Sequence, residues 1–302
     1  MPELDRTIAE LPAGAAELRL RLEAVRIAIA SHRTTDLTRA LVRAERLGLF
    51  AADGVRHPDL LATAAHWRMQ SRDSAPACAV LARRAAQAAA AADDLNATGV
   101  WLPFTCIVLK AAELFDEGIT LAEAAQTWAR DRGSPIWFAI AAMWRARFLQ
   151  ARGDLREAEA DAQAAAAAVD SSAGWLAYIP SAALTEILLE RGDVAGARAA
   201  WETMALGEAI PPGRPMTVLV FTRGLLRLAE GDTAAALRDL ASADRRLLDI
   251  APPSMNGQDG RLARALAHHA TGDSDRARDV ADEALQIARS GARPERSARR
   301  CA

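Results

Sequence analysis

The chain has 302 residues, 51% of them hydrophobic, and a formal net charge of −2. That length and apolar content suffice for a sizeable buried core, and the near-neutral balance removes any global electrostatic reason to bind nucleic acid or an anionic membrane. Three cysteines, Cys78, Cys106 and Cys301, stand far apart without CxxC spacing, which argues against a disulfide framework and a zinc site and suits a reducing cytoplasm. The opening "MPELDRTIAELPAG" has no apolar stretch of signal-peptide length, and no long uncharged apolar run predicts a membrane span. Lys110 is the only lysine among many arginines and alanines, the composition expected from a GC-rich bacterial genome.

Taken in chain order, short turn-like stretches separate helical runs. "HRTTDLTRALVRAERL" places Thr35-Asp36 at a turn, "QSRDSAPACAVLARRA" places Arg72-Asp73 there, and "FDEGITLAEAAQTWA" places Gly118 there. Four stronger copies follow, each a Gly-Asp pair: Gly153-Asp154, Gly192-Asp193, Gly231-Asp232 and Gly272-Asp273. The glycines are 39, 39 and 41 residues apart, a period that marks stacked supersecondary units.

The chemistry of the pair is a helix stop followed by a helix start. Glycine just past a helix end takes a left-handed backbone at little steric cost, and aspartate beside it suits the free N–H groups and positive end of the next helix. A connection this short predicts antiparallel neighbours. Five residues after each glycine comes alanine: Ala158, Ala197, Ala236 and Ala277. Offsets of nine (Ala162, Trp201, Leu240, Ala281) and twelve (Ala165, Met204, Ala243, Ala284) continue the same helix face. Five residues before the glycines, Phe148, Ile187, Leu226 and Ala267 predict the buried side of the preceding helix. Segments such as "DRGSPIW", "DSSAGWLAYIP", "GEAIPPGRPM" and "DIAPPSMNGQDG" read as the longer loops between units.

The expected fold is all-α: an α-solenoid of antiparallel helical hairpins with about seven repeats of roughly 35–46 residues. It is read as one elongated domain over 1–290, with weaker repeats in 1–92 and strong ones in 93–290, followed by a basic disordered tail at 291–302.

Eight residues before the turn glycine stand Arg145, Arg223 and Arg264, with Leu184 breaking the column. Stacked repeats would set these guanidiniums side by side, able to grip a carboxylate, a phosphate or an acidic peptide. The more ordinary use of such a column is pairing with acids of neighbouring helices. Trp101, Trp137 and Trp175 recur at the entrances of first helices, with Tyr178 nearby, and could stack on a sugar or other flat ligand. The more ordinary use of such residues is packing between repeats. His268-His269 point about 100° apart on a helix and cannot easily share a metal, so no metal site is expected; no Ser-His-Asp or Cys-His signature is legible, and no cofactor is expected.

The stretches "GSPIWFAIAAMWRARFLQARGDLREAEADAQAA", "GWLAYIPSAALTEILLERGDVAGARAAWE" and "RGLLRLAEGDTAAALRDLASADRRLLDIAPP" resemble the tetratricopeptide-like (TPR-like) region of large bacterial LuxR-type regulators, the MalT-like, ATP-binding group. The resemblance is strongest from about Asp93 to Ser290. It implies a TPR-like superhelix that senses an inducer or partner between an ATPase module and a DNA-binding helix-turn-helix. A P-loop needs G-x-x-x-x-G-K-[ST], and the only lysine lies in "FTCIVLKAAEL", so that ATPase is excluded from these residues. Only twelve residues follow Ser290, too few for a helix-turn-helix, so the chain is expected to be a fragment or truncated form. The function expected is a non-enzymatic sensor module, cytoplasmic, binding a protein partner or small-molecule inducer in its concave groove, without direct DNA or membrane contact and with self-association open to it. The alternative is a stand-alone TPR-like protein-interaction scaffold unrelated to transcription.

Overall fold

The computed structural model describes residues 2–12, 14–30, 57–70, 74–92, 100–248 and 258–291, with isolated positions at 39, 42, 45 and 46. Among these residues every regular element is helical. The Thr35-Asp36 and Arg72-Asp73 turns and the tail beyond Gly291 lie outside the described residues. Packing divides the chain into two compact units, Met1–Ala112 and Glu113–Ala302.

The first unit contains α1 (Pro2–Glu10), α2 (Ala16–Ala30), α3 (Pro58–Gln70), α4 (Ala75–Ala92) and α5 (Trp101–Ala111). α3 and α4 pack against each other and both pack against α5. Leu60, Ala62, Ala65, Ala82, Ala85, Trp101 and Leu102 form its fully buried interior, with Cys78 and Cys106 also buried. Burial in apolar surroundings pushes the Cys106 thiol up, which leaves it inert. Asp59, wholly buried, accepts the Trp101 backbone N–H at 2.8 Å and so caps α5 from another helix.

The second unit contains α6 (Phe115–Asp131), α7 (Pro135–Arg152), α8 (Leu155–Ala167), a 3₁₀ segment (Ser171–Ala177), α9 (Tyr178–Glu190), α10 (Val194–Glu202), α11 (Arg214–Ala229), α12 (Thr233–Leu248), α13 (Gln258–Ala270) and α14 (Ser274–Gly291). Successive helices pack on one another, and α7, α9, α11 and α13 also touch in sequence. This is the nearest-neighbour stacking of a solenoid.

The Gly-Asp turns are built as expected. Gly153, Gly192, Gly231 and Gly272 have φ between 78° and 93°. Gly153 N–H donates to the Gln150 carbonyl at 3.0 Å and Asp154 N–H to that of Leu149 at 2.9 Å, the paired closure of a Schellman motif, and the other three turns repeat it. The Asp193, Asp232 and Asp273 carboxylates then accept N–H groups of Gly196, Ala235 and Arg276 at 2.8, 3.1 and 3.2 Å. Asp154 is the exception: its side chain caps nothing and pairs with Arg152 instead.

Two expectations need correction. Gly118 is not in a turn; it is buried within α6, and the ring tip of Phe148 on α7 fills the place of its missing side chain. The left-handed position there belongs to Glu113, φ 58°, five residues earlier. Counted from Glu113, Gly118, Ala122 and Ala125 take offsets five, nine and twelve, and all are buried. Gly118 is therefore another copy of the small-residue position held by Ala158, Ala197 and Ala236, each fully buried. The segment between α6 and α7 is also no long loop: Arg132, Gly133 and Ser134 suffice, closed by Ser134 N–H to the Ala129 carbonyl at 2.9 Å.

Candidate functional site

The arginine column is present, and each member already has an acid in the same unit. Arg145 on α7 donates to Glu123 at 2.9 Å and to Asp161 at 2.6 Å, with Glu157 3.7 Å away. Burial pushes the Asp161 carboxyl up, and Arg145 only partly opposes it. Arg264 pairs with Asp244 of α12. Arg223 holds Asp239 through two parallel bonds of 2.8 Å. The signal for two of these pairs was in the repeat itself. Arg145 and Asp161, like Arg223 and Asp239, sit eight residues either side of their turn glycine, and the copy with Leu184 has Ala200 opposite. An antiparallel hairpin brings those two positions together.

The tryptophans divide. Trp101 is 1% exposed and belongs to the core of the first unit. Trp137 is half-buried and meets Trp128 edge-on, with ring centres 6.4 Å apart. Tyr178 packs on the core formed by Ala182, Leu188 and Trp201. The Trp175 side chain lies outside the described residues.

One member of the column opens onto a cavity. The space measures about 440 Å³ and lies between α10, the 203–213 loop and α11. Trp201 and Leu226, both buried, give it apolar lining; Arg198, Arg223 and Arg227 line it together with four acids, Glu202, Glu208, Glu230 and Asp232. Arg223 and Arg227 are four residues apart and so share a face of α11. The Asp239 carboxylate bridges them from α12, 2.8 Å from Arg227 Nη1, its side chain 8% exposed. Glu208 reaches in from the loop, and its two carboxylate oxygens both lie 2.8 Å from Arg227 Nη2. Its side chain is 84% exposed. The Arg227 hydrogen bond, then the charges of Arg227 and Arg223, hold the Glu208 carboxyl below its ordinary range. Arg198 forms two bonds to the Glu230 carboxylate, and both residues line the cavity. Neither Arg198 nor Arg227 stood in the column; Arg227 lies four residues before the turn glycine, where the other three Gly-Asp copies have Leu149, Leu188 and His268.

The five buried carboxylates among the described residues each have a donor. Glu23 accepts from Arg26, Asp59 from the Trp101 amide, Glu186 from Arg147 and Thr222, Asp239 from Arg223 and Arg227, and Asp244 from Arg264. Among the described residues no group of three or more His, Cys, Asp or Glu is placed to hold a metal ion, and no helix is long and apolar enough to cross a membrane.

No family model matches the chain, and no curated protein matches it in sequence. Solved structures do resemble it. The crystal structure of a Rap protein complexed with competence and sporulation factor superposes with a TM-score of 0.67 at 15% identity, covering 96% of this chain and 79% of that one. The apo form of RapI superposes with a TM-score of 0.59 at 10% identity, covering 90% of this chain and 97% of that one. At such identities the likeness speaks for architecture: this chain has a TPR-like helical-repeat solenoid fold.

Proposed function

We propose that the chain is a non-enzymatic binding module and that its second unit takes an acidic segment of a protein or peptide. The observation that carries this is the cavity beside α11, where Arg198, Arg223 and Arg227, each paired with an acid, share the lining with Trp201 and Leu226. A guanidinium matches a carboxylate in shape and charge, and an apolar lining lets the neighbouring side chain of the same segment lose water. Of the column, Arg223 belongs to this site, and Arg145 and Arg264 act as ties between helices. The donor found for every buried carboxylate among the described residues supports a structural rather than acid–base use of those groups. The Rap structure described above, solved with competence and sporulation factor, gives the reading by analogy a related architecture in complex.

Selection of random dodecapeptides displayed on phage tests the proposal. Recovered sequences should be enriched in aspartate and glutamate over the starting library, and the enrichment should vanish with Arg198→Ala, a half-exposed position whose loss leaves the fold intact. Enrichment absent from the unaltered protein, or retained by the variant, removes the proposal.

The finer reading is the sensor section of a LuxR-type regulator in the cytoplasm, occupied by a protein partner or small-molecule inducer. It rests on the resemblance of residues 93–290 to the MalT-like group. Coding sequence for an ATPase or helix-turn-helix module on either side of this chain would support it. Flanking genes free of both, together with peptide binding, would favour the stand-alone scaffold.

A further inference from the structure

The two carboxylates on the Arg223–Arg227 pair are unequal. Asp239 is buried and spends both oxygens on the two guanidiniums, so it is part of the framework. Glu208 is exposed and depends on a single nitrogen, Arg227 Nη2, for both of its short contacts; Arg223 Nη1 is 3.7 Å away. An exposed ion pair of this sort contributes little and exchanges readily with water. The loop that carries Glu208 is fixed independently of that pair. Ile210 is buried, and Arg246 donates to the carbonyls of Ile210 and Pro211 at 3.0 Å each. Arg223 Nη1 donates to the Glu208 backbone carbonyl at 2.7 Å. The side chain can therefore swing out while the backbone stays.

We propose that Arg227 and Arg223 form a carboxylate-binding subsite that Glu208 occupies as a tethered stand-in, to be displaced by an acidic side chain of the bound segment. This rests on the reading of the cavity as an acidic-segment site and adds how that site is regulated. Exchange of one carboxylate for another leaves the charge of the Arg223–Arg227–Asp239 cluster unchanged, and Glu208, 84% exposed, has no burial to give up when it leaves. A tethered competitor raises the apparent dissociation constant of any ligand that must displace it.

The test uses fluorescein-labelled hexaglutamate with a blocked C-terminus, followed by fluorescence anisotropy at low salt on the full chain. Glu208→Gln keeps size and the backbone contact but removes the competing charge. It should bind roughly two- to five-fold tighter than the unaltered protein, the range of an exposed ion pair. Adding Arg227→Gln to that variant should abolish the gain, and hexaglutamine should show no gain at all. Equal affinity of Glu208→Gln and the unaltered protein, or a gain that survives Arg227→Gln, overturns the stand-in role. If Arg198→Ala still weakens hexaglutamate binding in that case, the acidic-segment site survives without its stand-in. If hexaglutamate binds none of the proteins, both fall.

Discussion

Replacing Gly118 with alanine asks whether the small-residue position in α6 is set by packing or by backbone. A methyl group there falls on three atoms of the Phe148 ring, Cζ, Cε1 and Cε2. Cζ lies on the ring's rotation axis, so turning the ring about χ2 gives no relief. Phe148 is fully buried, and Trp144 stands beside it with ring centres 6.3 Å apart, so the ring has little room to withdraw. Overpacking of this kind costs roughly 1–3 kcal/mol. Alanine in place of glycine within a helix returns about 0.8–1 kcal/mol. The expected net change is a loss of about 1 kcal/mol, up to about 2 where the ring cannot move. Urea unfolding followed by circular dichroism at 222 nm measures it, with amide exchange in α6 and α7 locating it. Phe148→Leu removes the ring tip, and in that background the same alanine should be neutral or stabilising. A Gly118→Ala protein as stable as the parent, or a penalty unchanged beside Leu at 148, would refute the packing explanation.

Other outcomes follow from the same geometry. Asp193→Ala and Asp232→Ala should each lower stability by about 1 kcal/mol through a lost cap, and Asp154→Ala by clearly less, because that carboxylate caps nothing; thermal midpoints compare the three. Glu113→Gly should raise stability by about 0.5–1 kcal/mol, since the left-handed backbone costs a side chain roughly 1–2 kcal/mol and glycine's looser unfolded state takes part of that back. Glu208 has a folded pKa below its unfolded value of about 4.3, so its contribution is complete above that value and disappears as pH falls through the lower one. The stability difference between the unaltered protein and Glu208→Gln should therefore be level from neutral down to about pH 5 and shrink in stronger acid; a difference that widens in acid would contradict the Arg227 contact. Thr222→Val should cost about 1–3 kcal/mol in urea titration, by leaving one Glu186 oxygen without its donor.

The hairpin turns were legible because their cause is local. A left-handed glycine and a following aspartate act on neighbours within five residues, and the apolar offsets report a helix face directly. Gly118 was misread because glycine serves two unlike ends, a backbone angle at Gly153 and the absence of a Cβ against Phe148 at Gly118, and composition does not distinguish them. The pairing of Arg145 with Asp161 was within reach, since residues equidistant from a turn meet. The site around Arg227 was not. Its partner Glu208 comes from an irregular loop, where no period dictates which way a side chain turns.

Arg147 on α7 donates to Glu186 on α9, and Thr222 on α11 donates to the other oxygen of the same carboxylate. One acid thus laces three consecutive first helices together without involving α8 or α10. Glu186 is 8% exposed and Thr222 is wholly buried, so water cannot readily replace a broken link. The tie therefore skips every second helix: α7, α9 and α11 stay joined through one carboxylate even where a contact with α8 or α10 is lost.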